Sequence, residues 1–302
     1  MNRPQLVIWN SSAGRAEAAA EIRRALEADP DVRIHGPDSA ADAQRAVQQF
    51  CDDGGRCVVA AGGDGTINSV INGIPCDGSV ELGVLPLGTA NDCCESLAIP
   101  GNLQAAFDVL RAARTAPVDL AEASSDELTH RFANIATGGN SQRVTEAVED
   151  EVKQRWGALA YVRTAAPMLA DLRTYHVAIS FDGEPPEPFD AWNVVVANGR
   201  TSAGRVRVAP RATLDDGLLD VIVIRAGAVG DLVELTARYF LEDYSQSDRV
   251  VYRQAKTVCV TSDPPVDFSM DGDLIEQQPA SFRVLPGAVR AIVGPEYGAA
   301  AS

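Results

Sequence analysis

Several short clusters in this chain have the residue types and spacing to handle phosphate. The first is Gly62-Gly63-Asp64-Gly65-Thr66, which follows the apolar run Val58-Val59-Ala60-Ala61 and leads into a helical pattern. An apolar, partly β-branched run that meets paired glycines reads as a buried strand entering a tight turn. Glycine lets the backbone approach a ligand closely, and N–H groups at a helix start favour an oxyanion. Asp64 can orient a hydroxyl or hold a divalent ion, and Thr66 can cap the helix and offer its OH or N–H. The same letters also build an ordinary β-turn. A second cluster, Gly88-Thr89-Ala90-Asn91-Asp92, follows Leu82-Gly83-Val84-Leu85-Pro86 and repeats this logic, with Gly88 for approach and Thr89 and Asn91 for hydrogen bonds. Asn10 and Ser12 are placed to complete the wall. No lysine-bearing phosphate loop of the G-x-x-x-x-G-K-[ST] type is present.

Acids supply the remaining chemistry. Asp215, Asp216 and Asp220 surround Gly217, a spacing of hard oxygens that suits Mg²⁺ or Ca²⁺ and equally suits an Asp-Asp-Gly hairpin turn. Asp271-Gly272-Asp273 forms a further acidic turn. Asp119 stands between Val118 and Leu120 at a strand position, and taken alone it reads as an acid facing solvent at a sheet edge.

The elements that must position these groups alternate early in the chain. Gln5 to Asn10 reads as a strand, Ala16 to Ala28 as a helix, Val32 to Ile34 as a strand, and a helix capped by Asp38 or Ser39 runs to Phe50. The strand ending at Ala61 and a helix from Thr66 to Gly73 follow. Strand–helix alternation implies parallel strands with right-handed crossovers, whose carboxyl ends share the edge where ligands bind. Helices around Leu97 and from Leu103 to Arg111 complete this part. After about residue 125 the pattern changes. Helices are expected near Gln142 to Val152, Trp156 to Leu172 and Val229 to Tyr239. Strands are expected over Tyr175 to Phe181, Ala191 to Ala197, Leu218 to Ile224, Lys256 to Thr261 and Ala280 to Leu285, as in a second, largely antiparallel domain.

The chain has 302 residues, enough for two domains, with 42 acidic against 26 basic residues and a formal charge of −16. Such a surface is unsuited to tracking nucleic acid or adhering to an anionic bilayer by charge alone. Met1-Asn2-Arg3-Pro4 lacks the apolar core of a signal peptide and no run reaches membrane-spanning length, so a cytoplasmic protein is expected. The six cysteines and three histidines lack zinc-site spacing, and most of the thiols are expected to be free and at least half buried.

Taken together, Asn10 to Gly14, Gly62 to Thr66, Gly88 to Asp92, Asn134 to Gly139, Asn198-Gly199-Arg200, Asp215 to Asp220 and Asp271 to Asp273 resemble, in order and spacing, the diacylglycerol kinase catalytic family. This is the bacterial soluble lipid-kinase branch, related to sphingosine and ceramide kinases and distantly to NAD kinases. The resemblance implies an α/β protein of two domains. A Rossmann-like nucleotide-binding domain spans residues 1–125 plus 286–302, and a β-sandwich-like, β-rich acceptor domain spans 126–285. It implies ATP and Mg²⁺ as cofactors, a small lipid acceptor, transient contact with a membrane surface, no nucleic-acid partner, and leaves room for a homodimer. Asp64 and Asp119 are implied to organise the ion or its waters. Asp273 is implied to accept the acceptor's proton, and Asp215, Asp216 and Asp220 to hold a structural Mg²⁺. Asp273 departs from the family's Asp-Gly-Glu by one methylene, and Ala13 replaces a hydroxyl residue. Arg15, Arg200, Arg205 and Arg207 are candidates for phosphate or headgroup contact, or for a solvated face. Trp156, Leu159, Tyr161, Val162, Met168 and Leu169 read as core packing or as a lipid entrance. Another hydroxylated acceptor, such as a sphingoid base, and a catalytically weakened nucleotide-binding regulator stand as alternatives.

Overall fold

The computed structural model describes residues 4–125, 129–140, 172–202, 206–228, 231, 247–271, 273–275 and 281–298. The helices expected near Gln142 to Val152, Trp156 to Leu172 and Val229 to Tyr239 lie outside these residues, as do the side chains proposed for a lipid entrance.

The first lobe is built on parallel strands. β1 (Gln5–Trp9) lies between β2 (Val32–His35) and β3 (Cys57–Gly62), and β3 pairs onward with β4 (Glu81–Pro86), all parallel. β1 and β3 are buried throughout, as strands covered by helices on both faces must be. The covering helices are α1 (Ala20–Glu27), α2 (Ala40–Asp52), α3 (Asp64–Gly73), the short α4 (Asp92–Ser96) and α5 (Leu103–Ala112). Ser39 and Asn102 cap α2 and α5 by accepting the N–H of Asp42 and Ala105. Ala43, Val47 and Cys51 form the buried stripe of α2 at spacings of four, the helical repeat that faces one side. α1 starts later than its composition predicts, because residues 16–19 form turns instead.

The second lobe is antiparallel. β5 (Thr115–Ser124) pairs with β6 (Thr129–Phe132); β7 (Ile135–Gly139) pairs with β9 (Glu187–Ala197), which also pairs with β8 (Tyr175–Phe181). β10 (Thr201–Ser202) and β11 (Val206–Arg207) make a small hairpin. β12 (Leu219–Arg225) joins β9 to the edge strand β13 (Val250–Ala255), and β14 (Thr257–Asp263) pairs with β8. β15 (Phe268–Met270) lies between β7 and β16 (Asp273–Ile275).

One strand stitches the lobes together. β17 (Ser281–Ile292) is antiparallel to β14 at its start, antiparallel to β5 along its length, and parallel to β4 at Arg290 and Ala291. Its register with β5 shifts between Leu285 and Val289, around Gly287 at φ 58. Its apolar residues serve two cores. Phe282 packs edge-on against Phe268 at 5.0 Å between ring centroids in the second lobe, while Val289, Ala291 and Ile292 join the core of the first.

Among the described residues no helix is long and apolar enough to cross a membrane. Cys51, Cys57, Cys93 and Cys94 are buried, Cys76 is half-buried, and Cys259 is exposed; none of the six is in a disulfide.

Candidate active site

The two glycine turns stand side by side at the carboxyl edge of the parallel strands, with Gly62 opposite Pro86 in the β3–β4 register. Leu87 and Gly88 donate N–H groups to the Gly62 carbonyl at 2.9 and 3.2 Å. A Cβ on Gly88 would stand 2.5 Å from Gly63 Cα and 2.9 Å from Asn91 Oδ1, so the two backbones meet at a distance only glycine allows. Gly65 differs. It is exposed at the start of α3, and a Cβ built on it would find nothing within 4 Å.

Asp64 begins α3 and fastens the two turns together. Its Oδ2 accepts the Asn91 N–H at 2.9 Å and its Oδ1 the Cys93 N–H at 3.4 Å, which caps the start of α4. Burial, and then the neighbouring Asp92 carboxylate, push its pKa up, while the backbone N–H groups of Cys93, Asn91 and Asp92 oppose the shift. Asp92 is 7% exposed, so two acids share one desolvated corner. The sequence reading noted Asp92 only as the end of its turn. The signal it offered was an acid closing a second glycine motif that also follows a strand.

The second lobe delivers its acidic turn to this corner. Asp271, in the left-handed region at φ 48, points its carboxylate into the N–H groups of Ala133, Asn134 and Ile135 at 2.7, 3.0 and 2.9 Å. Burial lifts its pKa to about 6 against the pull of those three donors, and the Asp64 carboxylate adds to the lift. Asp64 and Asp271 therefore feel one another across the lobe boundary. Met270 pairs with Asp273 in the β15–β16 hairpin, so the Asp273 backbone lies opposite Met270, just past the turn that Asp271 opens. The Asp273 side chain lies outside the described residues. Two further bonds clamp α4 to the second lobe: Ser96 Oγ to Asn134 Oδ1 at 3.2 Å, and Thr201 Oγ1 to the Asp92 carbonyl at 3.3 Å.

Several expected contacts are placed differently. Thr66 does not cap α3, because the helix begins two residues earlier; its N–H goes to the Gly63 carbonyl and its hydroxyl accepts from Asn10 Nδ2 at 3.2 Å. Asn10 Oδ1 accepts the Ser12 N–H at 3.0 Å, which leaves the Ser12 side chain exposed. Asn91 folds its amide onto Gly88, donating to the carbonyl at 2.7 Å and accepting the N–H at 3.1 Å, so it shapes the turn instead of presenting its side chain to a ligand. Thr89 stays exposed. Arg15 donates to the Gly101 carbonyl and Arg200 to that of Ala212, Arg207 is exposed, and Arg205 lies outside the described residues.

Asp119 is buried at 4% exposure and does not face solvent. Its two oxygens accept the N–H groups of Gly217 and Gly287, each at 2.7 Å. Burial raises its pKa, the two N–H donors hold it down, and Asp216 and Asp215 raise it further. Its charged neighbours are thus the Asp215–Asp216 turn, whereas those of Asp64 are Asp92 and Asp271. Asp215, Asp216 and Asp220 do not form a metal cage: Asp215 and Asp216 are exposed, Asp216 accepts from the Leu218 N–H, and Asp220 is buried in β12 beside Tyr252 and Gln254. Among the described residues no three acids, histidines or cysteines are grouped to hold a metal. The structural-ion expectation does not fit these positions.

A polyphosphate does fit the two turns. The N–H groups of Asp64 and Gly65 precede the first backbone bond of α3, which Thr66 makes, the space over Gly65 is open, and Thr89 and Ser12 are exposed. Asp64 and Asp92 are neighbouring carboxylates at this corner, and their oxygens are donors of the hard kind that Mg²⁺ takes.

Comparison with known proteins supplies the family. Residues 4–123 match the diacylglycerol kinase catalytic domain, and residues 134–293, more than half the chain, match the YegS C-terminal NAD kinase beta sandwich-like domain. The chain belongs to the diacylglycerol kinase catalytic-domain family. It is 28% identical over 287 residues to a diacylglycerol kinase of Bacillus subtilis (strain 168), covering 91% of each chain. It is 26% identical over 289 residues to a diacylglycerol kinase of Staphylococcus aureus (strain MRSA252), covering 93% of this chain and 90% of the relative. A crystal structure of a diacylglycerol kinase from Bacillus anthracis str. Sterne shares the fold at a TM-score of 0.74 and 23% identity, covering 98% of both chains. Yeast NADH kinase complexed with NADH shares it more distantly, at 0.56 and 15%, over 97% of this chain and 84% of that one. Membership in this family makes the chain a kinase with a mixed α/β lobe and a β-sandwich-like lobe.

Proposed function

We propose that this kinase transfers the γ-phosphoryl group of ATP to the hydroxyl of a lipid acceptor of the diacylglycerol type. The observation that carries the reading is the convergence of three pieces on one corner. Two glycine turns are fastened by Asp64, and the Asp271 turn of the other lobe holds Asn134, which Ser96 of α4 binds from the first lobe. Phosphoryl transfer needs a gripped polyphosphate and an aligned acceptor, and little else from the protein.

When bound, Mg²⁺–ATP supplies the phosphoryl group and a metal charge that spreads the negative charge developing on it. The chain's own residues do the rest. The open backbone at Asp64 and Gly65, with the Thr89 and Ser12 hydroxyls, holds the phosphate oxygens. Asp64 keeps the two turns in register and, with Asp92, would hold the ion. Asp273 takes the proton of the acceptor hydroxyl, directly at about 2.6–3.2 Å or through one water. Its arm is one methylene shorter than glutamate, so its reach depends on where the hairpin holds the backbone. The three N–H bonds to Asp271 fix that position. With the acidic surface opposing adsorption to anionic lipid, contact with a bilayer is brief and carried by local apolar surface.

Purified protein incubated with labelled ATP, Mg²⁺ and a fractionated lipid extract should yield a labelled phospholipid whose mass identifies the acceptor. ATP binding without turnover across diverse hydroxylated lipids would overturn the reading in favour of a nucleotide-binding regulator.

A further inference from the structure

A concave site lies where the first lobe meets β6, at the edge of the sheet opposite the glycine turns. It is a polar cleft of about 550 Å³, lined by the end of α2, the end of α3, the segment entering β4, and Arg131 of β6. Because β3 and β4 are parallel, their amino ends border this cleft while their carboxyl ends carry the turns. α3 spans the gap, ten residues or about 15 Å, with Asp64 at one end and Gly73 at the other.

The volume falls within the range of small-molecule sites, about 300–1,000 Å³, but the lining is charged where such sites are commonly apolar. Two guanidiniums, Arg56 and Arg131, stand among two acids, Asp52 and Asp77. Arg56 is held by the carbonyls of Cys51 and Gly55, both at 2.8 Å, and Arg131 by that of Ile74 at 3.1 Å. Arg131 Nε is buried without a hydrogen bond; its nearest counter-charge, Glu122 Oε2, lies at 3.5 Å and Glu122 is shared with Arg283. Asp77 is ionised and turned onto Ser79, which holds its pKa down. Charges of both signs around one cleft, with Arg56, Arg131 and Asp77 each held by a hydrogen bond and Asp52 exposed, complement a small molecule that itself carries both.

The walls of the cleft lead to the catalytic corner by two routes. α3 is one. The other begins where Asn72 binds the Arg131 backbone twice, donating to its carbonyl at 2.8 Å and accepting its N–H at 2.9 Å. From Arg131 the chain runs directly through Phe132 to Ala133, Asn134 and Ile135, the three N–H groups that Asp271 holds.

We propose that this cleft is an effector site for a small zwitterion, an oxyanion facing Arg56 and Arg131 and an ammonium facing Asp52 and Asp77, whose occupancy shifts turnover at the far edge. The coupling rests on the kinase reading; the binding does not. The simplest probe is O-phosphoethanolamine, with inorganic phosphate and ethanolamine as its separate halves and phosphatidylethanolamine vesicles as the headgroup source. Calorimetric titration of the full chain should show saturable binding of O-phosphoethanolamine at millimolar or lower concentration and at least tenfold weaker binding of either half. The nucleotide KM of the kinase should shift at least twofold. Gln48→Trp and Ser79→Trp, both exposed at the cleft and outside the catalytic corner, should abolish binding and the shift while leaving basal turnover and the unfolding midpoint near wild type. Vesicles producing the effect that the soluble probe does not would assign the site to the lipid headgroup. No saturable binding of either source, or binding that both tryptophan variants retain, overturns the site. Binding without any change in turnover of an active kinase overturns the coupling, and a chain that binds the zwitterion but phosphorylates nothing refutes the kinase reading instead.

Discussion

Gly65 gives the sharpest test of the catalytic corner, because adding a methyl group there should separate folding from binding. A Cβ on Gly65 meets nothing within 4 Å, and the residue lies in the first turn of α3 with no left-handed backbone to defend. Alanine in place of glycine in a helix is worth up to about 0.8–1.0 kcal/mol, less in a first turn, so Gly65→Ala should leave stability unchanged or raise it by about 0.5 kcal/mol. For a chain of this size that is about 1–2 °C in the unfolding midpoint. The same methyl fills the space over the α3 N-terminus where a phosphate oxygen would sit. Nucleotide affinity should therefore fall at least tenfold, about 1.4 kcal/mol. Gly88→Ala is the contrasting case. Its Cβ would fall 2.5 Å from Gly63 Cα, where ordinary contact begins at 3.4 Å, so backbone must move by nearly an ångström. Overpacking of that kind costs about 1–3 kcal/mol, and stability and nucleotide binding should fall together. Thermal unfolding and a nucleotide titration on both variants decide the matter. If Gly65→Ala binds nucleotide as tightly as wild type, no phosphate sits over that residue and the assignment of the corner fails.

Asp273→Asn should fold normally yet lose at least about 100-fold in kcat, the usual range for removing a general base, with Asp273→Glu retaining activity; wild-type kcat in the asparagine variant would remove Asp273 from the mechanism. Asp119→Ala strands the N–H groups of Gly217 and Gly287, and denaturant unfolding should register a loss of about 1–3 kcal/mol or more. A change under about 0.5 kcal/mol, the level of an ordinary surface substitution, would show that the clasp is not structural. The pH dependence of stability follows from sign. Asp64, Asp119, Asp220 and Asp271 all have raised pKa values, so the native state binds their protons before the unfolded chain does. Their contribution should grow as pH falls from about 7 through the Asp271 value of about 6 toward the ordinary carboxylate range. Melts between pH 7 and pH 5 should hold steady or rise in midpoint after allowance for surface ion pairs. A steep fall that Asp271→Asn abolishes would contradict the direction assigned to this carboxyl.

The first lobe was legible because its signals are local. Apolar runs, capping residues such as Ser39, and glycines at strand ends all act within a few residues, and they place the two turns on one edge without further help. What stayed hidden depends on partners distant in the chain. Asp119 looks like an exposed edge acid until Gly217 and Gly287, 98 and 168 residues away, supply the N–H groups that make its burial tolerable. The Asp215–Asp216–Asp220 spacing looked like a metal site, yet strand alternation in β12 turns Asp220 toward Tyr252 and Gln254. Asn91 and Asp92 show the same limit at close range. Their residue types were noted, but only the tertiary contact with Asp64 shows that Asn91 shapes its turn and that Asp92 shares the buried corner. β13 carries alternation too weak to read, with polar residues on an exposed edge.

β17 has a consequence for biosynthesis. Arg290 and Ala291 supply the neighbour of β4 on that side, so the sheet of the first lobe is completed only by a strand translated long after β4 itself. A nascent chain halted before residue 281 would carry a bare, aggregation-prone strand margin in its first half, although that half was translated long before. Synthesis order and assembly order are therefore opposed in this protein, and a chain cut before β17 would leave the sheet of the first lobe unfinished although its other strands were already made.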